Sequence, residues 1–439
     1  MHTTTPQPSM CAFSVIWSGQ LLSLIGTALS SFALSIWAWD MSGSATALAL
    51  VSFFGFGATI LATPFAGPIV DRIPRKRVLI LSDLGAAVSS FGLLIFLLVG
   101  QLEIWHLCVA SAIAGIAQAF QYPAYAAAVS MLSPPAHLVR AGGMLAFAQS
   151  SATTAAPILS GILLGVVGLQ GVLIIDLLTF CMAMATLAMT AIPEPPSTQP
   201  ADLPLGGQLR QELFYGFRYI LARPGLRQLQ ILFLLINLTG SMSLVLLSPL
   251  ILARSGGDAL ILGWVRVALG IGGICAGLVL TIWGGPQRRI HGVLLGWALL
   301  GLTGDLLFGV GRSAMIWIVA AFCSTFFYHI AVSANQAIWQ TRVEPEVQGR
   351  VFAARRLSSQ ITAPLGMLVA GPLADGLLEP AMQPGGSLAG LFGWLVGVGP
   401  GAGLALLFVV TGILGTLIGI GGYLLPAARM IEPPTTALL

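Results

Sequence analysis

The sequence predicts an all-α polytopic membrane protein with twelve transmembrane helices in two sets of six. Composition is the first reason. Of 439 residues, 56% are hydrophobic and only 8% charged, with a mean hydropathy of +0.93. A soluble chain of this size needs far more charge to cover its surface. The second reason is patterning. Apolar stretches recur that are long enough to cross a hydrocarbon core of ~30 Å as helices, without the short alternating strands of a β-barrel. The third is a one-sided distribution of Lys and Arg. It also explains the pI near 9.0 as topology setting rather than nucleic-acid binding.

Apolar runs bounded by turn or charge signals fall near 14–39, 47–70, 78–99, 104–130, 144–168 and 171–192. They resume near 229–252, 260–283, 291–310, 313–340, 357–378 and 401–425. The chain therefore divides into a first bundle at 1–192, a linker at 193–228 and a second bundle at 229–439. Twelve crossings put both termini on one face. If that face is cytoplasmic, every Lys and Arg except Arg254, Arg266 and Arg312 falls in an inside loop or the C-terminal tail. This asymmetry predicts a multi-pass protein of the plasma membrane with cytoplasmic termini.

The linker starts Pro-rich (PEPPSTQP), which favours an extended chain. It continues as "ELFYGFRYILARPGLRQLQ", which places Leu213, Phe217, Ile220 and Leu221 on one helical face. An amphipathic helix on the cytoplasmic membrane surface is expected. The halves echo each other weakly: "SSATTAAP" opens the fifth span and "SSQITAP" the eleventh. The five cysteines, Cys11, Cys108, Cys181, Cys275 and Cys323, lie far apart and form neither a disulfide framework nor a metal spacing. The N-terminal "MHTTTPQPSM" lacks the basic region and cleavage site of a signal peptide.

Five charges crowd into the seven residues from Asp71 to Arg77, between two apolar runs. This turn resembles the signature loop of the major facilitator superfamily, Gly-x-x-x-Asp-Arg-x-x-Arg-(Lys/Arg). Here it reads Gly67, Asp71, Arg72, Arg75 and Lys76, with Pro74 where many members carry Gly. Four further stretches are similar to the drug-exporter branch that includes macrolide efflux pumps and siderophore exporters. They are "PAYAAAVSMLSPPAHLVRAGG", "GVLIIDLLTF", "GFRYILARPGLRQLQILFLLIN" and "QTRVEPEVQGRVFAARR". The resemblance runs from about residue 13 to residue 378; the last span matches only in hydrophobicity. It implies two six-helix bundles rocking about a central cavity. It also implies that Asp71 latches onto the positive N-terminal end of span eleven, near Leu357, held by Arg72 and Arg75. The alternative is a loop that only sets topology. The second-half counterpart, "GGPQRRIHG", keeps Arg288 and Arg289 but has no aspartate, so the latch is expected on one side only. The antiporter motif of span five survives as Ala156, Pro157 and Gly161 without its leading Gly.

A charge inside the membrane costs ~3 kcal/mol on insertion scales. Asp83, Asp176 and Asp305 lie in spans that are peripheral in this family, where structural pairing is expected. Arg266 sits about two turns into span eight. Asp40 and Asp375 lie near the same depth, so an Arg266 pair with one of them is expected as an outer gate; snorkelling of Arg266 is the alternative. His329, Ser333, Gln336 and Gln340 share one face of span ten, and Gln118, Tyr122 and Tyr125 recur at helical spacing in span four. With Gln20 in span one and Asn237 in span seven they would line a wet cavity. Trp17 and Trp339 would add aromatic faces. The serines and threonines among these spans read more simply as helix-packing residues. His329 suits reversible protonation, since a histidine titrates near pH ~6.5. It is either the coupling group or a hydrogen-bonded polar residue.

There is no Gly-x-x-x-x-Gly-Lys-(Ser/Thr) loop, no His-Glu-x-x-His, no Cys-x-x-Cys and no Gly-x-Ser-x-Gly. The expectation is a monomeric, non-enzymatic secondary transporter with no cofactor and no metal. It would export an amphiphilic small molecule against proton entry. A lipid or lysolipid translocator, a uniporter and a non-transporting sensor are the alternatives.

Overall fold

The computed structural model describes residues 9–133, 138–190, 192, 207–344 and 347–432. Among them no strand occurs. Hydrocarbon offers no hydrogen bonds, so a spanning backbone must satisfy itself within a helix. The helices are α1 (Met10–Ser42), α2 (Ala45–Arg72), α3 (Arg75–Leu98), α4 (Ile104–Leu132), α5 (Leu138–Met189), α6 (Gly207–Ala222), α7 (Pro224–Ser255) and α8 (Ala259–Trp283). After these come α9 (Arg289–Val310), α10 (Ala314–Arg342), α11 (Gln348–Leu373), a short α12 (Ala389–Val396) and α13 (Ala402–Gly421). Among the described residues, eleven helices are long and apolar enough to cross a membrane. One of them, α5, breaks at Gly168, whose φ of 66° breaks the helix where the sequence places the turn between spans five and six. The eleven helices thus supply twelve spanning arms.

Two units emerge from the packing. One comprises Met1–Ser42 and Leu50–Asp202, the other Gly43–Ala49 and Leu203–Leu439. In the first unit, Phe13, Ile16, Leu79, Ala124 and Leu187 form a buried core. Small residues bring helices close: a Cβ on Gly115 would lie 2.2 Å from the Gly55 carbonyl oxygen. In the second unit the core centres on Trp297, Trp339, Leu229, Ile290 and Val351, all fully buried.

The amphipathic helix α6 packs one side on the second unit. Tyr219 and Ile220 are buried in the core of the second unit, while Phe214, Arg218 and Leu221 are exposed. The apolar face read from the sequence is therefore split, with Ile220 inward and Leu221 outward; Leu213 lies outside the described side chains. Glu344, after α10, secures this docking. Its carboxylate accepts a hydrogen bond from the Tyr219 hydroxyl at 2.7 Å and pairs with Arg223 at 3.3 Å.

In the same unit, α9 carries a π turn at Gly301–Asp305, and another follows α11 at Ala374–Leu378. At the first, α13 approaches closely: a Cβ on Gly412 would lie 2.6 Å from the Leu306 nitrogen and 2.8 Å from the Gly301 oxygen. The segment between α11 and α13 is tied by two arginines. Arg254 donates to the carbonyls of Gly309, Gly311 and Val396, and Arg312 to that of Trp394. Glu379 accepts from the backbone N–H groups of Gly403 and Leu404, at the start of α13.

Two outcomes follow from this packing. Gly412→Val should destabilise the second unit by about 1–3 kcal/mol, because the obstructing atoms are backbone; thermal unfolding in detergent reads this. The Tyr219 hydroxyl, and then Arg223, hold the Glu344 carboxyl below its ordinary range. A depressed carboxylate contributes stability above its unfolded value and loses it as pH falls through the folded one. Limited proteolysis at α6 should therefore accelerate on acidification below the ordinary carboxylate range. In Glu344→Gln that acid-dependent increment should disappear.

Candidate functional site

The polar side chains within the spans form separate clusters, each built from residues of a single unit. In the first unit Asp83 of α3 is fully buried. It accepts hydrogen bonds from the Gln20 amide of α1 at 2.8 Å and the Gln121 amide of α4 at 2.5 Å. Asp176, in the second arm of α5, accepts from Ser30 and Ser90 at 2.9 and 2.8 Å and from Thr27 at 3.4 Å. Among the described residues these aspartates are met by neutral donors rather than cations, and a buried carboxylate needs such donors to offset its desolvation. Gln20 is thus committed to Asp83. Gln118 is exposed, Tyr125 packs on the core, and the side chain of Tyr122 lies outside the described residues. Trp17 donates to the Met144 carbonyl at 2.9 Å.

Within the signature turn, the Lys76 ammonium donates to the carbonyls of Ala188 and Thr190 at 3.0 and 2.9 Å. Positive charge at a helix C-terminus is favourable, so Lys76 closes the end of α5. Pro74 is the residue before α3. The side chains of Gly67, Asp71 and Arg72 lie outside the described residues. Their proposed target is displaced from its expected position. Helix α11 starts at Gln348, so its positive end lies there and Leu357 is inside the helix. The run "QGRVFAARRL" contains no proline, and its arginines conceal the helix start in a hydropathy reading.

In the second unit Arg266 of α8 donates to the Ser248 hydroxyl of α7 at 3.0 Å. The expected ion pair of Arg266 with Asp375 does not form: among the described residues Arg223–Glu344 is the one ion pair. The carboxylate of Asp375 serves the start of α2 instead. It accepts from the Ser44 hydroxyl at 2.6 Å and from the backbone N–H groups of Ala45 and Thr46 at 3.1 and 2.7 Å. Asp40 is exposed.

Along α10, His329 is exposed and its Nδ1 lies 2.8 Å from the Thr325 carbonyl. A carbonyl only accepts, so Nδ1 carries the hydrogen and Nε2 is left to exchange a proton. Gly273 of α8 makes room for the ring: a Cβ there would lie 3.1 Å from the His329 Cε1. Ser333 is exposed, and Gln336 accepts from Arg355 at 2.7 Å. The Arg355 guanidinium stacks 4.9 Å from the Trp339 ring and 5.5 Å from that of Phe233. Trp339 is fully buried and presents no face to a ligand. Asn237 donates to the Phe233 carbonyl at 2.8 Å. Asp305 is buried beside Ser243, whose hydroxyl lies 3.0 Å from that of Thr411.

Three participants escaped the sequence reading. Gln121 adjoins the helical face traced through Gln118 and Tyr122, so spacing alone passed it over. The charge of Arg355 points to a loop. Ser44 in "GSAT" carries a recognisable helix N-cap signal, which went unused.

Helices of this length and apolar character, with polar clusters buried among them, define a polytopic membrane protein. The Major Facilitator Superfamily model matches residues 16–367, and the chain belongs to that superfamily of transporters. It is 26% identical over 366 residues to macrolide efflux protein A of Streptococcus pyogenes, covering 83% of this chain and 89% of that protein. It is 26% identical over 345 residues to the multidrug efflux pump Tap of Mycolicibacterium fortuitum, covering 76% and 82% respectively. Its fold is similar to a bacterial homologue of the human lysosomal transporter Spinster, with a TM-score of 0.67 at 15% identity, covering 97% of this chain and all of that one.

Asp83→Ala should strand the Gln20 and Gln121 amides in a buried site, at a cost of about 1–3 kcal/mol for each unsatisfied group. Thermal unfolding in detergent should show a lower midpoint, with Asp83→Asn falling between it and the wild type. An unchanged midpoint in Asp83→Ala would mean that water reaches those amides.

Proposed function

We propose that the chain is a secondary active exporter of an amphiphilic small molecule, such as a drug, a macrolide, a siderophore or another secondary metabolite. It works as a monomer in the plasma membrane, with both termini in the cytoplasm, by alternating access coupled to proton entry. The observation that carries this reading is the superfamily match over residues 16–367 together with efflux proteins as relatives over most of the chain. The sequence holds no phosphate-cradling loop, which favours an ion gradient over ATP as the energy source.

In this reading the signature turn is the cytoplasmic catch. Asp71, supported by Arg72 and Arg75, engages the positive end of α11 near Gln348, and Gly67 allows close approach. Lys76 anchors the turn to α5. Gln118, Tyr122, Tyr125, Asn237, Ser333 and Gln336 contribute polar contacts to the substrate path, and Gln20 buttresses that path through Asp83. Arg266, bonded to the Ser248 hydroxyl, belongs to the outer gate. His329 is the proton carrier, because its Nε2 is the ring nitrogen left available for exchange. Asp40 remains a second candidate for that role.

Purified protein in liposomes, assayed with a macrolide and with a cationic amphiphilic dye, should move substrate only under an imposed pH gradient. Asp71→Ala should slow the flux, and His329→Gln should uncouple it from the gradient. Flux without a gradient would identify a uniporter, and no flux of either probe would sink the exporter reading. Accessibility labelling at Arg75 and Arg350 should mark the same face of the bilayer.

A further inference from the structure

We propose that Asp375 is a releasable latch on the first turn of α2, at the opposite end of that helix from Asp71. This rests on the transporter reading above and adds a gating residue that the signature turn does not supply. The geometry is specific. A helix start leaves its first N–H groups without partners. In α2 the first two, those of Ala45 and Thr46, are taken by the two carboxylate oxygens of Asp375 at 3.1 and 2.7 Å. The third, that of Ala47, donates to the Ser44 hydroxyl oxygen at 3.3 Å, and the same hydroxyl donates to Asp375 at 2.6 Å. Cap and carboxylate therefore form one closed hydrogen-bonded unit. The negative charge also sits at the positive end of the helix.

Close approach of α11 to this turn depends on Gly371, one helical turn before Asp375. A Cβ there would lie 2.5 Å from the Thr46 Cα and 2.9 Å from the Ala49 Cβ. Gly43, with φ of 57°, lets the chain leave α1 and enter the cap. The packing carries the same message: Gly43–Ala49 groups with the second unit, whereas Leu50 onward groups with the first. One helix thus bears a carboxylate near its C-terminal end, Asp71, and receives a carboxylate at its N-terminal end, Asp375. The second-half loop "GGPQRRIHG" lacks an aspartate, and Asp375 supplies a catch from a different place. Each catch is a carboxylate on a helix start, so breaking one and making the other exchanges like for like. Hydrogen bonds to an ionised carboxylate are strong enough to bias such an equilibrium by tenfold or more.

The test uses full-length protein in liposomes, with the native cysteines replaced by serine and spin labels at Thr46→Cys and Leu377→Cys. Without further substitution the pair should show a dominant short-distance population. Asp375→Ala should deplete it on the order of tenfold, and Asp375→Asn, which keeps shape and one acceptor oxygen, should deplete it less. Gly371→Val leaves the carboxylate intact and should open the same contact by steric pressure. This guards against a fold defect peculiar to Asp375→Ala, and size-exclusion profiles monitor both. Pump flux should change in parallel with the distances. Unaltered distances in both Asp375→Ala and Gly371→Val would overturn the latch. Altered distances with unaltered flux would overturn its role in transport. If the distances respond while the unsubstituted protein moves no probe, the latch stands and the exporter reading fails.

Discussion

A polar group inside a bilayer has no water to fall back on, so each must be matched by another protein group. This constraint organises the molecule. Asp83, Asp176 and Asp305 are all buried, and the donors found for them are amides and hydroxyls rather than cations. Neutral donors let a carboxylate pin several helices together without burying a second charge, whose desolvation costs several kcal/mol. Asp83 joins α1, α3 and α4 in this way; Asp176 joins α1, α3 and α5. Each cluster stiffens the unit that holds it.

The same constraint shapes the backbone. Where helices must touch, glycine removes the side chain that would hold them apart, as at Gly115 against Gly55 and Gly412 against Gly301. Where helices end, the exposed N–H and C=O groups are claimed by charged side chains. Lys76 closes α5, Glu379 opens α13, Arg254 gathers three carbonyls, and Asp375 opens α2. A chain with only 8% charged residues places many of them at helix ends, where the dipole and the unpaired backbone both reward a charge.

Long apolar runs set the number of helices to within the resolution of a hydropathy reading, and Gly168 breaks α5 where a turn was expected. The signature turn and the neighbouring stretches led to the superfamily, because those residues sit close together in sequence. The candidate site was less legible. Spacing along span four selected Gln118 and Tyr122, yet Gln121 meets Asp83, since only the approach of α3 decides which face of α4 turns toward it. Trp339 reads as a cavity aromatic and is fully buried, because Arg355 comes from a helix that begins earlier than its charges suggested.

By itself the amino-acid order determined the membrane environment, the helical class, the positions of most turns and the family. These depend on local hydrophobicity, on charge counts and on a contiguous motif. Tertiary structure alone decided the partners of the buried polar groups. Asp375 and Arg266 have charges and depths that invite a pair, but the carboxylate meets α2 and the guanidinium meets Ser248. Such partners, more than three hundred residues away for Asp375, are chosen by how helices pack, and one sequence without its fold holds no record of that choice.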